Sequence, residues 1–188
     1  DQVGIDAVGL GEHHRDDFAI SAPEVLLGAI ASRTKRIRLG TAVTVLSTDD
    51  PVRVYERFAT LDGVSNGRAE IILGRGSFTE SYALFGYSLD SYETLFEEKL
   101  ELFAKLRQEG AVTWKGTLRS GLKNQRVYPP AEKAPIPTWV GVGGSPESVV
   151  RAAKYGLPLM LAIIGGSASR FKPYVDLYRE AGEKFGHG

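Results

Sequence analysis

Five short apolar runs recur along the 188-residue chain. Each closes on glycine or a polar residue, and each is followed by a loop and an amphipathic stretch. They lie at Ala7 to Gly11, Ile37 to Val43, Ala69 to Leu73, Thr138 to Val142 and Pro158 to Ile163. The runs are almost continuously apolar, with no alternation, which predicts strands covered on both faces and therefore a parallel sheet. Strand alternating with helix over a whole chain is the α/β pattern. A closed (β/α)8 barrel takes roughly 250 residues, so a chain of this length corresponds to a TIM-type barrel lacking its first strand and last units. An open doubly wound sheet satisfies the same rhythm, and periodicity does not separate the two.

The helices carry recognisable starts. "SAPE" sets Ser21 and Glu24 at capping-box spacing with Pro23 in the first turn. Asp50 as N-cap, Pro51 at N1 and Asn66-Gly67 as the stop bracket a second helix, with Val54, Phe58 and Leu61 on one face. Asp90 and Glu93 repeat the box spacing ahead of a stripe of Leu95, Phe96, Leu100, Phe103 and Leu106. "SPESVVRAAKYG" opens on Ser-Pro again, and a last helix is predicted from about Ser169 to Phe185. Residues 110–137 carry no helical pattern and read as an irregular insertion in an otherwise single domain spanning 1–188. Within it "VTW" and "RVY" are expected to form a small hairpin on the side of the sheet away from the strand-end loops.

Composition narrows the class. Lys plus Arg and Asp plus Glu each total 23, so no global field favours nucleic acid or an anionic membrane. There is no cysteine, which removes disulfides, thiolate nucleophiles and Cys-ligated metals and fits a cytoplasmic protein. The longest apolar run, "LPLMLAII", is far short of the roughly 20 residues a membrane helix needs. The sole methionine is Met160, and the opening "DQVGID" reads as a helix end with Gly4 as its stop, so further sequence upstream is expected.

In parallel α/β folds, sites form at the carboxyl ends of strands. There the chain places Glu12, His13 and His14, then Thr44 to Asp49, then "GRGS" at Gly74 to Ser77, "GGSPES" at Gly143 to Ser148, and "GGS" at Gly165 to Ser167. Glycines let backbone approach a ligand closely, and helix N-termini attract anions. Each residue also has an ordinary structural reading. The two histidines can be solvated loop residues, Arg75 can pair with Glu70 or Glu12, and Ser-Pro-Glu starts a helix anywhere. His-His is no metal motif, because neighbouring strand residues face opposite ways and no third ligand is spaced for them. The residues themselves describe an anion-accepting strand-end face with a histidine able to move protons, and leave the ligand open.

The stretches "GLGEHHRDDFAISAP", "RIRLGTAVTVLSTDDPVRVYERFATLDGVSNGRAEIILGRGSF", "YGLPLMLAIIGG" and "RFKPYVDLYREAGEKFGHG" resemble the bacterial-luciferase-like flavin monooxygenase family. That resemblance implies a (β/α)8 barrel that binds reduced FMN, supplied by a separate flavin reductase, and uses O2 to oxidise a small-molecule substrate. One branch uses a deazaflavin for hydride transfer instead. His13 matches the family's active-site histidine and is expected to face the flavin, with His14 turned away behind it. Thr41-Ala42 matches a non-prolyl cis peptide beside the flavin ring. Arg75, Ser145 and Ser148 match positions that hold the flavin phosphate. Gly144 stands where the luciferase α chain has a phosphate-side glutamate, and Gly74 where it has a reactive cysteine. The helices starting at Ser21 and Asp50 correspond to those that form family dimers, which implies a homodimer. The function classes that follow are an FMN-dependent monooxygenase, a deazaflavin-dependent oxidoreductase of the same fold, and a flavin-binding protein without turnover.

Overall fold

The computed structural model describes residues 1–187, which divide into two compact units, Asp1–Pro137 and a second beginning at Thr138. The first unit holds β1 (Ala7–Leu10), α1 (Pro23–Ala31), β2 (Arg38–Thr41), β3 (Thr44–Val45), α2 (Pro51–Ser65), β4 (Ala69–Gly74), α3 (Glu80–Phe85), α4 (Tyr92–Leu106), β5 (Val112–Trp114) and β6 (Leu122–Gln125). The predicted parallel arrangement is present. β1 runs parallel to β2 with Leu10 opposite Thr41, β2 parallel to β4 with Leu39 opposite Ala69, and β3 parallel to β4 with Thr44 opposite Leu73.

The predicted strand Ile37 to Val43 is shorter, with β2 ending at Thr41, and β3 (Thr44–Val45) forms in the stretch read as the loop after it. Ala42 N–H makes the last bond to β1, donating to Leu10 O at 2.8 Å, after which the chain leaves β1 and continues alongside β4, which β2 and β3 both pair. The Thr41 and Thr44 hydroxyls, both fully buried, meet across the break at 2.7 Å. The expectation of strands covered on both faces holds for β4, whose residues are nearly all buried, but not for β1, whose residues are half-buried or exposed.

α2 starts and stops where its sequence says. Asp50 accepts from Val52 N–H and Arg53 N–H, Pro51 occupies N1, and Asn66 closes the helix in the left-handed region at φ 60°. Two predicted capping boxes do not form, for one shared reason: arginines take their glutamates. Glu24 accepts from Arg57 Nε, so α1 starts on Ala22 without a side-chain cap. Glu93 pairs with Arg75, so α4 starts after a 3-10 turn at Leu89–Ser91. The α4 stripe of Leu95, Phe96, Leu100, Phe103 and Leu106 is buried as expected, against a core that includes Leu27, Leu39, Val54, Phe58, Ile71 and Leu73. Arg68 closes the amino end of the sheet, donating to the carbonyls of Ala31, Thr34, Ile37 and Ser65 and to the Thr34 hydroxyl at 2.7 to 3.0 Å.

The 110–137 segment does form a hairpin, but "VTW" pairs with Leu122–Gln125 and not with "RVY". Glu98 fixes that register by accepting from Thr117 N–H and Leu118 N–H in the turn. The segment runs the length of α2: Arg119 binds Asp50 at its start, and Lys133 N–H donates to Asp62 near its end. Tyr55, on the face of α2 that faces this segment, donates to Glu109, and burial together with that carboxylate raises its pKa to about 12. Tyr55, Phe58, Ala59 and Leu61 are therefore covered within the chain itself.

The second unit pairs β7 (Thr138–Val142) parallel with β8 (Leu159–Leu161) and carries α5 (Pro146–Lys154) and α6 (Lys172–Phe185). Ser145 caps α5, accepting from Ser148 N–H. No helix among the described residues is long and apolar enough to cross a membrane.

Candidate active site

At the carboxyl end of β1 the two histidines part company. His14 Nε2 lies 2.9 Å from Glu12 Oε1, its ring edge meets Phe85 at 5.0 Å, and its side chain is 10% exposed. Glu12 is shared, because its other oxygen accepts from Val45 N–H at 2.9 Å. Glu12 thus ties the loop after β1 to β3 and engages His14. His13 is held by different chemistry. Its backbone N–H donates to Ile20 O, closing the loop, and its ring lies 3.9 Å from the Phe18 ring and 5.0 Å from Phe78. Among the described residues its ring nitrogens have no hydrogen-bond partner. Phe18 and Phe78 are 41% and 38% exposed.

The non-prolyl cis peptide is present one bond later than expected. It joins Ala42 to Val43, not Thr41 to Ala42. The register accounts for the offset: Ala42 N–H is still bonded to Leu10 O, so the backbone departs from β1 only after Ala42. Thr41 is fully buried with its hydroxyl on Thr44, whereas Ala42 is exposed. Glycines seat this segment. A Cβ on Gly74 would fall 2.5 Å from Val43 Cγ2, and one on Gly9 would fall 3.0 Å from Ala42 Cβ. A Cβ on Gly11 would lie 3.5 Å from Ala42 O and 3.9 Å from the His13 ring. The carbonyl of Ala42 and the imidazole of His13 therefore border one small space beside Gly11, which a methyl group there would fill at ordinary van der Waals contact.

Arg75 pairs with neither Glu70 nor Glu12. Glu70 is met by Arg38 at 2.9 Å, and Arg75 Nη1 binds Glu93 on the first turn of α4. The Arg75 guanidinium lies 5.2 Å from the centre of the Tyr92 ring, and Tyr92 OH donates to Gly76 O at 3.0 Å. Tyr82 OH donates to Arg75 O. In the second unit, Gly144 has φ +135° and its carbonyl accepts from Tyr174 OH at 2.7 Å. Ser145 Oγ donates to Glu147, and buried Ser148 accepts from Arg151.

Sequence reasoning passed over three features. Phe18 and Phe78 flank His13, and both were visible as aromatics in strand-end loops. Glu93 was read only as a capping residue. Lys99, inside the apolar stripe of α4, is 3% exposed; its ammonium donates to Ser47 O at 2.6 Å and lies 3.9 Å from the Tyr87 ring centre. Burial pulls its pKa down to about 8 despite nearby Asp49 and Asp50. A lone lysine within a hydrophobic stripe was the available signal.

Parallel strands linked by helices, with histidine, arginine and glycine past the strand ends, define an α/β barrel-type chain whose strand ends are the candidate site. The chain belongs to the luciferase-like monooxygenase family, whose profile matches residues 1–188. It is 31% identical over 180 residues to the uncharacterized protein y4wF of Sinorhizobium fredii, covering 95% of this chain and 52% of that one. It is 29% identical over 196 residues to the alkanal monooxygenase alpha chain of Photorhabdus luminescens, covering all of this chain and 51% of that one. The solved structure of monooxygenase RslO1 from Streptomyces bottropensis superposes with a TM-score of 0.87 at 27% identity, over 100% of this chain and 58% of that one. The chain spans about half the length of the curated relatives it matches.

Proposed function

We propose that the protein is a flavin-dependent monooxygenase that takes reduced FMN from a separate flavin reductase and, with O2, oxidises a small organic substrate. The observation that carries this reading is the pairing of His13 and Ala42 O around the open position at Gly11. Ala42 is exposed and offers a ledge to a flat ring, and the Phe18 and Phe78 rings pack against His13. When bound, reduced flavin supplies the electrons that O2 takes up. His13 holds or moves a proton at a ring nitrogen, since its ring is free of the carboxylate that engages His14. Arg75, a planar cation with several donors, suits a phosphate. For Thr41, Gly144, Ser145 and Ser148 the family resemblance carries the cofactor assignment. The same resemblance carries the homodimer through α1 and α2, where Val25, Leu26 and Val64 remain exposed.

Anaerobic titration with reduced FMN and with a reduced deazaflavin, each followed by mixing with O2, tests the reading. Tight binding of reduced FMN and its rapid reoxidation are expected. Preference for the deazaflavin without reaction with O2 would replace it with a hydride-transferring oxidoreductase. Binding without turnover of any offered substrate would favour a flavin carrier.

A further inference from the structure

Resting on that reading, we propose that Glu93 is a carboxylate latch on Arg75 that competes with the cofactor's phosphate and so sets how strongly a phosphomonoester is held. Arg75 is fixed at both ends. Tyr82 and Tyr92 hold the backbone of the Gly74-Arg75-Gly76 loop through Arg75 O and Gly76 O, and the guanidinium lies over the Tyr92 ring. Tyr92 and Glu93 are consecutive on the first turn of α4, so the helix that supports the arginine also presents the acid that neutralises it. A carboxylate at a helix N-terminus is itself favoured by the helix dipole. It therefore holds the arginine without help from a ligand.

The arginine side chain is 22% exposed and that of Glu93 59%, so the acid stands on the solvent side, from which an anion arrives. A phosphate must displace it or share the guanidinium with it, and a dianionic phosphomonoester meets a local charge of zero instead of plus one. Riboflavin, which has no phosphate, is indifferent to the latch.

The test compares wild type with Glu93→Gln, which keeps size and helix position while removing the charge. Flavin fluorescence titration should give FMN binding about two- to fivefold tighter in Glu93→Gln, the range for freeing one half-exposed ion pair. Riboflavin affinity should stay the same. Raising salt should weaken FMN binding more steeply in the variant, because an unneutralised arginine contributes more screened attraction. Inorganic phosphate, followed by phosphorus NMR line broadening, should show the same gain without any flavin. Equal FMN affinity in the two proteins, or weaker binding in Glu93→Gln, overturns the latch while leaving the flavin reading standing; weaker binding would mean that the acid orients the arginine. Failure of FMN and riboflavin to bind either protein, with phosphate binding still gained in the variant, sinks the flavin reading and keeps the latch. Failure of all three probes overturns both.

Discussion

Lys99 should give the protein a stability that climbs with pH through the mildly alkaline range. Its ammonium is buried against the Ser47 carbonyl and the Tyr87 ring, and its pKa falls from 10.5 to about 8. Below pH 8 both folded and unfolded chains hold the proton, and the folded chain carries the full penalty of a buried cation. Between pH 8 and 10.5 the folded chain has released the proton while the unfolded chain still binds it. The unfolded state then binds more protons, so stability rises with pH. The pKa difference corresponds to about 3 kcal/mol, of which about 2 kcal/mol is recovered between pH 8 and pH 10.

Tyr55, whose pKa is raised to about 12, acts the other way above pH 10, so the comparison has to be differential. Lys99→Met removes the titrating group and leaves the tyrosines. It also removes the hydrogen bond to Ser47, a loss that is nearly constant with pH. Urea unfolding followed by circular dichroism at pH 7, 8, 9 and 10 should show wild type gaining about 2 kcal/mol on Lys99→Met between pH 8 and pH 10. A difference that stays flat over that interval would refute the argument and mean that water or a counter-charge solvates the ammonium.

Arg75→Ala should weaken FMN binding about tenfold to a hundredfold and leave riboflavin unchanged, the loss expected for a charge-assisted hydrogen bond; equal loss for both flavins would make the arginine structural. His13→Ala should keep FMN affinity and lower turnover by roughly 10²–10⁴, with unchanged single-turnover oxidation counting against a proton-transfer role. Arg68→Met should destabilise the chain by about 2–3 kcal/mol in urea melts, since it strips charged donors from four carbonyls at once. Light scattering at micromolar concentration should report a homodimer that Val25→Glu or Val64→Glu converts to monomer, and a monomeric wild type would remove the proposed interface.

The α/β rhythm, the parallel sheet and the span of α2 were legible from residues alone because their causes are local. Continuous apolar runs need cover on both faces, and Asp50, Pro51 and Asn66 act on backbone within four residues of themselves. The adjacency of His13 and Arg75 to strand ends was legible for the same reason. Which acid meets which base was not. Glu24 and Glu93 stand at good capping distance from Ser21 and Asp90, yet arginines 33 and 18 residues away claim them. The same limit applies to the histidine pair. His13 and His14 lie past the end of β1 in a loop, where strand alternation no longer governs them, and only folding brings Val45 to Glu12 and Phe78 to His13. The cis bond at Ala42–Val43 lies just past the last bond to β1, a position set by register between strands. Capping and periodicity act over a few bonds and are written in the order of residues. Ion-pair choice, strand register and the burial of Lys99 are settled by competition among groups that become neighbours only when the chain has folded.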